Sequence, residues 1–297
     1  MKIVRKEKLP MKLSIIIVAY KSPQILKRCL ASLFSVNDLG EDVEVIVVDN
    51  SPADERVDAV VAGFDFPNLH YIPDDNRGFG AGNNTGARAA TGEIIAFINP
   101  DIIFIEPVFR SVVDRFEQDP ALNLLGIKLL QENLKTGFSF FWDYKTGILS
   151  KYTQKLWNKL DRFDPNKMYI AGADLWFRHS AFQAIGGFDE NIFMYYEEPD
   201  LTRRLKKAYP NGRIAYEKDL KMIHLEKQST PATPAQLGRE VDACIYCGKK
   251  HGLDYRKKVR FEYNYLKLKA AIFKIIAKGK AGSIQESLAY LDQHYGF

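Results

Sequence analysis

Two aspartates stand where buried strands are expected to end, and that position suggests ligand chemistry. Asp101 follows the apolar run 94–98 across an Asn-Pro turn, and Asp49 closes the β-branched run 43–48. In an open parallel sheet, ligands bind beyond the carboxyl ends of the strands. Asp101 is therefore expected where a metal ion or a phosphate binds, and Asp49 where a ribose or base donates hydrogen bonds. The alternative for each is an ordinary turn residue.

A second acidic group lies beside aromatic residues in the later part of the chain. Glu197, Glu198 and Asp200 follow two tyrosines and open an amphipathic stretch. Acids at a helix start are stabilised by the helix dipole, which is a sufficient structural explanation. Acids beside aromatic residues are also how a general base is presented in a cleft. Asp174, in a small-residue turn, and His224, in the loop after the last predicted strand, are further candidates.

A glycine-rich segment precedes the strand that leads to Asp101. Gly78 and Gly80 match the start of a dinucleotide-binding fingerprint, but Asn83 stands where its third glycine is needed. The segment also follows the third predicted strand instead of the first, so a dinucleotide site is disfavoured. The glycines instead open a helix whose N-terminus could face a phosphate. A plain turn is the alternative.

Strand and helix patterns alternate through the first hundred residues, which predicts βαβ units and a parallel sheet. The predicted strands are 13–19, 43–48, 69–72, 94–98, 124–130 and 213–216, and the predicted helices are 23–34, 55–64, 78–92, 107–116, a helix opening near 197, and most of 237–297.

Two regions have less regular patterns. Residues 137–164 are aromatic and basic with poor periodicity, which predicts either a partly mobile excursion over the site or irregular core packing. Residues 255–280 alternate basic and apolar side chains, a pattern typical of a helix on a membrane surface, a partner helix or a dimer contact. Cys244 and Cys247 lie near His251, but no second pair completes a metal site, and we interpret them as packing residues.

Composition narrows the class of protein. With 297 residues and 46% hydrophobic content, the chain can form one large domain with an appendage. A net charge of +5 suits anionic ligands or a membrane surface and is too weak to indicate nucleic acid. Three cysteines do not make a disulfide framework, and no apolar run reaches the roughly 18 residues of a membrane span. The basic N-terminus leads into a strand and lacks the features of a signal peptide. We expect a cytoplasmic protein, with peripheral contact to the inner membrane face left open.

Six motifs occur in one order along residues 12–230, and together they resemble the family 2 glycosyltransferases of the GT-A fold, especially bacterial rhamnosyltransferase-like members. The motifs are Ser-Ile-Ile-Ile-Val-Ala-Tyr at 14–20, Val-Val-Asp-Asn-Ser at 47–51, Asn-Arg-Gly-Phe-Gly-Ala-Gly-Asn-Asn-Thr-Gly at 76–86, Phe-Ile-Asn-Pro-Asp at 97–101, Gly-Gly-Phe-Asp at 186–189 and Tyr-Glu-Glu-Pro-Asp-Leu at 196–201.

The resemblance implies an α/β fold with a mainly parallel central sheet flanked by helices. It implies a catalytic domain at 1–230, with a Rossmann-like nucleotide-sugar half at about 12–105 and an acceptor half at about 106–230. No motif covers residues 231–297, which are expected from their own pattern to form a helical extension. The implied activity is an inverting, metal-dependent sugar transfer in cell-surface polysaccharide synthesis. We expect a dTDP- or UDP-sugar donor, with dTDP-rhamnose preferred, and a saccharide or lipid-linked acceptor.

The resemblance also implies roles on the donor side. Asp49 would contact the nucleotide base, with Ala19 and Tyr20 beside it. Asn99 and Asp101 occupy the position of the family's Asp-X-Asp motif. The segment that packs around the sugar and diphosphate contributes Asn76, Gly78 and Asn83.

For the reaction itself, the resemblance implies a metal ion and a base. Asp101 and His224 would hold Mg²⁺ or Mn²⁺ against the donor diphosphate. Glu198 matches the position of the catalytic base, and Asp174, Glu197 and Asp200 are expected on the acceptor side.

Two departures from the family pattern leave alternatives open. Asn99 replaces an acid, so we expect metal to be held mainly when the donor diphosphate is present. Glu198 replaces the usual Asp, so Glu197 or Asp200 are alternatives for the base. Both departures also motivate an alternative function as a non-catalytic nucleotide-binding or scaffold protein.

Overall fold

The computed structural model describes residues 11–226, 233–276 and 281–296, without the side chains of 273–276 and 281–283. The predicted basic N-terminal lead (1–10), the first residues of the predicted extension and the end of the basic 255–280 stretch lie outside the described residues.

An eight-stranded sheet is the centre of the structure, and its strand order is β3-β2-β1-β4-β9-β6-β10-β5. The first four strands are mutually parallel, β9 runs antiparallel to both β4 and β6, β10 is parallel to β6, and β5 is an antiparallel edge strand. A separate antiparallel pair is formed by β7 and β8. The strands are β1 Leu13–Ala19, β2 Val43–Asp49, β3 Leu69–Pro73, β4 Ile94–Ile98, β5 Ile102–Phe104, β6 Leu122–Leu130, β7 Phe140–Trp142, β8 Met168–Ile170, β9 Asp174–Arg178 and β10 Arg213–His224.

Helices cover both faces of the sheet. They are α1 Pro23–Ser35, α2 Asp58–Ala62, α3 Phe79–Ala89, α4 Phe109–Gln118, α5 Ile148–Lys159, α6 His179–Ala184, α7 Glu197–Ala208, α8 Pro234–His251, α9 Tyr255–Ile276 and α10 Ala281–Tyr295. The predicted mainly parallel sheet flanked by helices is therefore present.

The central strands are buried on both faces, which explains their continuous apolar sequence. Along β1, Ile15 and Ile17 pack into one core with α1, α2 and α4. The alternate residues Ile16 and Val18 pack into a second core with α3, α6 and α7. Successive side chains along a strand point to opposite faces of the sheet, so the first pair and the alternate pair enter different cores.

Helix α3 approaches β1 unusually closely because glycines line its inner face. A Cβ added at Gly86 would lie 2.4 Å from Cγ2 of Ile16. That distance is well inside van der Waals contact, so the helix can lie this close only without a side chain there. The small residues that suggested a phosphate loop therefore also set the spacing between helix and sheet.

Three elements differ from their predictions. Helix α2 covers only residues 58–62 because a 3₁₀ turn occupies 53–55. Strand β10 continues to His224, which pairs with Ile102 of β5, so this histidine ends a strand and does not lie in a loop beyond it. Residues 140–159 contain a regular strand and helix, β7 and α5, where irregular structure was expected.

Helices α8, α9 and α10 pack on one another around Val241, Cys244, Val259 and Tyr263. The interpretation of Cys244 and Cys247 as packing residues is confirmed, because both are buried. Among the helices in the described ranges, none is both long and apolar enough to span a bilayer.

Replacing Gly86 with Val should destabilise the fold by roughly 1–3 kcal/mol, because the added methyl groups must displace Ile16 of β1. Ala89→Val is the matched control, since Ala89 lies on the exposed face of the same helix and receives the same side chain. Urea unfolding of both variants measures the difference. Intrinsic helix propensity favours valine over glycine but disfavours valine relative to alanine, so a Gly86→Val loss no larger than the Ala89→Val loss would contradict close packing as the reason for the glycine.

Candidate active site

Asp49 ends β2 at the carboxyl edge of the sheet, and its carboxylate is buried. Its Oδ1 accepts the Ser51 N–H at 2.9 Å, and its Oδ2 accepts the Val57 N–H at 2.7 Å and the Tyr71 hydroxyl at 2.8 Å. Burial alone raises the pKa of Asp49, but these hydrogen bonds outweigh it and hold the pKa below its ordinary value. Asp49 is therefore ionised and rigidly held.

Residues 19–21 lie beside Asp49 at the same edge. The carbonyl of Ala19 accepts the N–H of Asn50, which connects the ends of β1 and β2. Tyr20 is half exposed, and the ammonium of Lys21 lies 5.5 Å from the centre of its ring. An exposed aromatic ring beside a buried carboxylate is a suitable surface for a base.

Gly78 connects the glycine segment to the loop before α7. Its φ is +109°, and an added Cβ would lie 2.3 Å from the Phe193 carbonyl oxygen, so only glycine fits. Asn83 donates within its own helix to the Phe79 carbonyl at 3.1 Å. Asn76 is exposed.

The Asn-Pro-Asp turn faces the end of β10. The Nε2 atom of His224 lies 3.3 Å from Oδ1 of Asp101, and the Asp101 carbonyl accepts the Leu225 N–H at 3.0 Å. Asn99 donates its N–H to the Ala173 carbonyl at 3.1 Å. The Oδ1 atom of Asn99 is buried without a hydrogen-bond partner among the described residues. The structure thus brings Asp101 and His224 together, as predicted.

Glu198 is linked to the Asn-Pro-Asp turn through the segment that precedes β9. Its Oε1 accepts the Gly172 N–H at 3.0 Å, and Gly172 adjoins Ala173, whose carbonyl bonds to Asn99. An added Cβ at Gly172 would lie 2.2 Å from the same Oε1, so glycine is required for this contact. Burial raises the pKa of Glu198 above its ordinary value.

The backbone before α7 is strained. Tyr195 and Tyr196 have φ values of +74° and +67°, which are unfavourable for bulky residues. Such strain persists only where surrounding contacts enforce it, and it concentrates at functional sites. Here the strained residues come directly before Glu197 and Glu198, and so set where the first turn of α7 begins. Glu197 is buried, and burial together with the neighbouring charge of Glu198 raises its pKa well above the ordinary value.

Asp200 is fully buried in an ion-pair network with the last turn of α8. It lies 2.6 Å from the Lys250 ammonium, 2.8 Å from Nε2 of His251 and 2.7 Å from the Arg204 guanidinium. Burial raises the pKa of Asp200, but the hydrogen bonds from Lys250 and Arg204 outweigh it and lower the pKa overall. Lys250 also lies 2.7 Å from Asp189, whose pKa is lowered in the same way. These contacts explain Asp200 structurally, and its predicted acceptor-side role stays a prediction.

Asp174 lies inside the sheet. It is fully buried at the start of β9, and its Oδ2 accepts the Ile127 N–H at 2.7 Å, which extends the pairing of β6 with β9. Burial raises its pKa well above the ordinary value. This position gives it a structural explanation, and its acceptor-side role also stays a prediction.

The residues of the predicted metal site fit a hard divalent cation in part. Asp101 supplies a carboxylate, His224 an imidazole, and Asn99 an unpartnered amide oxygen nearby in the chain. No group of three or more His, Cys, Asp or Glu side chains in the described ranges could hold a metal. Mg²⁺ typically binds one or two protein carboxylates plus substrate phosphates, so two protein ligands suit a site completed by a donor diphosphate.

Several residues of this region were not singled out from the sequence. Asn84 donates to the Phe188 carbonyl at 2.9 Å and accepts the Phe188 N–H at 2.8 Å, which attaches the glycine helix to the Gly-Gly-Phe-Asp loop. Its position beside Asn83 in the third motif was the available signal. Lys250 carried no signal, and His251 was considered only beside Cys244 and Cys247, because their acidic partners Asp189 and Asp200 lie 61 and 51 residues away in the chain.

Two solved structures are similar to this one in fold. The structure is similar to that of S. aureus TarS 1-349 in complex with UDP, with a TM-score of 0.54 and 18% identity over 97% of this chain and 72% of that chain. It is also similar to mannosyltransferase PcManGT from Pyrobaculum calidifontis in complex with GDP-Man and Mn²⁺, with a TM-score of 0.55 and 13% identity over 98% of this chain and 88% of that chain. At these identities the similarity shows the fold, and the predicted GT-A fold is confirmed.

Sequence relatives give the family. The chain is 25% identical over 284 residues to an N-acetylglucosaminyl-diphospho-decaprenol L-rhamnosyltransferase of Mycobacterium tuberculosis, which covers 84% of this chain and 88% of the relative. It is 28% identical over 211 residues to the low-salt glycan biosynthesis hexosyltransferase Agl10 of Haloferax volcanii, covering 67% of this chain and 63% of the relative. Residues 14–185 match the model of glycosyl transferase family 2, and the chain belongs to this family. It is a glycosyltransferase, as predicted, and resembles rhamnosyltransferases.

Replacing Lys250 with Met should lower the free energy of unfolding by roughly 1–3 kcal/mol at neutral pH, because Asp189 and Asp200 lose their shared cation. Both carboxyls have lowered pKa values in the folded state, so their stabilisation is present above the ordinary pKa and is lost as pH falls. The difference between wild type and variant should therefore shrink only as pH falls well below the ordinary carboxyl pKa, toward the lowered pKa values of the folded state.

Urea unfolding at about pH 7 and about pH 2 measures this difference above and well below the ordinary carboxyl pKa. The control is Lys249→Met, which removes the neighbouring exposed lysine. A Lys250 effect that is unchanged at the lower pH would exclude the ion pairs as its cause.

Proposed function

We propose that this protein is an inverting glycosyltransferase that moves a sugar from a nucleotide donor to a saccharide or lipid-linked acceptor in cell-surface polysaccharide synthesis. The observation that carries the proposal is the connection between Glu198 and the Asn-Pro-Asp turn, through Gly172 and Ala173. This connection holds a carboxylate beside the edge of the sheet where a donor diphosphate would lie. The rhamnosyltransferase relative supports rhamnose as the transferred sugar, and hence dTDP-rhamnose as the donor.

On the donor side, the rigid Asp49 carboxylate and the exposed ring of Tyr20 would recognise the nucleotide base. The N-terminus of α3 follows Gly78 and would face the diphosphate with backbone N–H groups beyond Phe79, whose own N–H donates to the Phe193 carbonyl. Asp101 and His224 would hold Mg²⁺ or Mn²⁺ together with the donor phosphates. The cation would neutralise charge on the departing diphosphate.

On the acceptor side, Glu198 would act as the base. It removes the proton from an acceptor hydroxyl while that oxygen bonds to the anomeric carbon from the face opposite the nucleotide. The bond between the anomeric carbon and the diphosphate oxygen breaks, and the configuration inverts. The raised pKa of Glu198 suits this task, because a base with a pKa nearer the operating pH accepts a proton more readily in the transition state.

Glu198 is a better base candidate than its two neighbours. Asp200 is fully buried and bonded to Arg204, Lys250 and His251, and its lowered pKa leaves it little tendency to accept a proton. Glu197 is buried, and its Oε1 has no hydrogen-bond partner in the described part of the chain. A cytoplasmic location and peripheral membrane contact through the basic C-terminal helices complete the proposal, and a homodimer contact through those helices is the alternative.

Replacing Glu198 with Gln should reduce transfer by roughly 10²–10⁴-fold, because the amide cannot accept the acceptor proton. Binding of dTDP-rhamnose should stay near the wild-type level, since the fold and donor side are unchanged. Calorimetric donor binding and a transfer assay with a lipid-linked saccharide acceptor measure the two effects.

Glu197→Gln is the matched control and should retain most of its activity. Near-normal turnover in Glu198→Gln would exclude it as the base. Donor binding by wild type without turnover of any nucleotide sugar would instead favour the non-catalytic alternative.

Replacing Asp101 with Ala should abolish the Mn²⁺ dependence of donor binding and reduce transfer by roughly a hundredfold or more, because the cation loses its carboxylate ligand. Donor binding measured with and without Mn²⁺ reports the metal separately from activity. Asp114→Ala, which removes an exposed acid on α4, is the control. Full activity of Asp101→Ala at saturating donor, or tight Mn²⁺ binding by donor-free wild type, would contradict the proposed site.

A further inference from the structure

The outward face of α5 and its flanks is apolar. Leu149 and Tyr152 are 75% and 72% exposed, and Leu156 and Leu160 are 50% and 49% exposed. Ile148 is also exposed. Residues 149, 152, 156 and 160 follow the helical period, so they form one stripe on the surface.

The inward face of the same helix is mainly polar, with Trp157 as the apolar residue that packs on Trp142. Ser150, Gln154 and Asn158 are buried one turn apart. Gln154 accepts the Trp142 N–H at 2.7 Å, and Asn158 accepts the Ser139 N–H at 2.8 Å. Both amides also donate to the Phe140 carbonyl. They therefore complete the hydrogen bonding of β7, which pairs on its other side with β8.

This arrangement is the reverse of an ordinary surface helix, which turns its apolar stripe to the core and its polar face to water. Single exposed apolar residues are normal on protein surfaces. Five within residues 148–160, on a helix whose buried face is mainly polar, are a contiguous patch of the kind that marks an interaction site. The surface therefore needs an apolar partner.

The charge around the stripe indicates which partner. Residues 145–160 contain Lys145, Lys151, Lys155 and Lys159 and no acidic residue. Lys155 and Lys159 have no acid within ion-pair distance in the described ranges. An apolar stripe flanked by lysines is the composition of a helix that lies in the interface of an anionic membrane.

Helix α9 continues the same surface. The ammonium of Lys151 lies 4.8 Å from the ring centre of Tyr265 and 2.8 Å from the Glu262 carboxylate, which connects the two helices. Beyond Tyr265, Leu268 and Ile272 are exposed and are spaced to share its face of the helix. We call the outward surface of 148–160 together with Tyr265, Leu268 and Ile272 the α5–α9 face.

A second copy of the chain fits this face less well. In a two-fold dimer the same patch meets itself, so the lysines of one α5 would oppose those of the other. We propose that the α5–α9 face binds an anionic phospholipid bilayer.

The position of the face also bears on how the acceptor is bound. This step rests on the proposed function, which supplies the lipid-linked acceptor. Helix α5 supports β7, β7 pairs with β8, and β8 is followed by Gly172, which holds Glu198. A bilayer on α5 would therefore lie beside the acceptor half. That arrangement suits an acceptor whose lipid stays in the membrane while its sugar hydroxyl reaches Glu198.

Co-sedimentation with vesicles made of equal parts phosphatidylglycerol and phosphatidylcholine tests the proposal with the full chain and without donor or acceptor. Wild type should bind these vesicles and should bind pure phosphatidylcholine vesicles at least about tenfold more weakly. Leu149→Gln combined with Tyr152→Gln and Leu156→Gln should weaken binding at least tenfold, and Lys155→Gln with Lys159→Gln should do so by about tenfold or more.

The matched controls are Leu134→Gln, an equally exposed leucine elsewhere, and Lys207→Gln with Lys218→Gln, and both should bind as wild type does. Failure of wild type to bind anionic vesicles, or undiminished binding by the triple variant, would overturn the proposal. So would a dimer in sedimentation velocity that the triple variant dissociates. Vesicle binding does not depend on turnover, so its failure is distinguishable from failure of the proposed transfer reaction.

Discussion

The antiparallel insertion of β9 between β4 and β6 is the constraint on which the rest of the site depends. It joins the parallel first half of the sheet to the second half, with Ile98 opposite Asp174. Because β9 runs against β4, the turn that precedes β9 meets the turn that follows β4. Asn99 bonds to Ala173 at that junction, and Gly172 then reaches Glu198. A parallel β9 would place its preceding turn at the far edge of the sheet.

The C-terminal helices are part of the same construction. The first turn of α7 concentrates three carboxylates, which would repel one another and lose solvation when buried. At the end of α8, Lys250 supplies positive charge to Asp200, and the ring of His251 lies within hydrogen-bond distance of the same carboxylate. Cys247 of the same helix donates its S–H to the Tyr196 carbonyl, which supports the unfavourable backbone before Glu197. The ring of Tyr144, from the loop after β7, also packs against the ring of Tyr196. The charge of Asp200 is thereby neutralised, while Glu198 stays available as the base of the proposed reaction.

What the sequence revealed was mainly local. The β-branched run of β1 and the small residues of α3 determine their elements through burial and close packing, and both were predicted. The ordered motifs indicated that Asp101 and His224 would meet. The pairing of Lys250 with Asp189 was not predictable, because charge complementarity over 61 residues leaves no periodic signal. Helix α5 was missed because its short helical pattern lies within a longer aromatic segment, 137–164, which also contains β7 and irregular chain and has poor periodicity as a whole.

The position of His224 bears on how a site with only one Asp-X-Asp carboxylate could hold a cation. As the last residue of β10, paired with Ile102, His224 is fixed by sheet hydrogen bonding on the strand next to the Asn-Pro-Asp turn. The Leu225 N–H bonds to the Asp101 carbonyl and fixes the two residues relative to each other. A preorganised pair loses little conformational freedom on binding, which partly offsets the missing charge at Asn99. The remaining ligands would then come from the donor, so that cation and nucleotide sugar bind together and neither binds well alone.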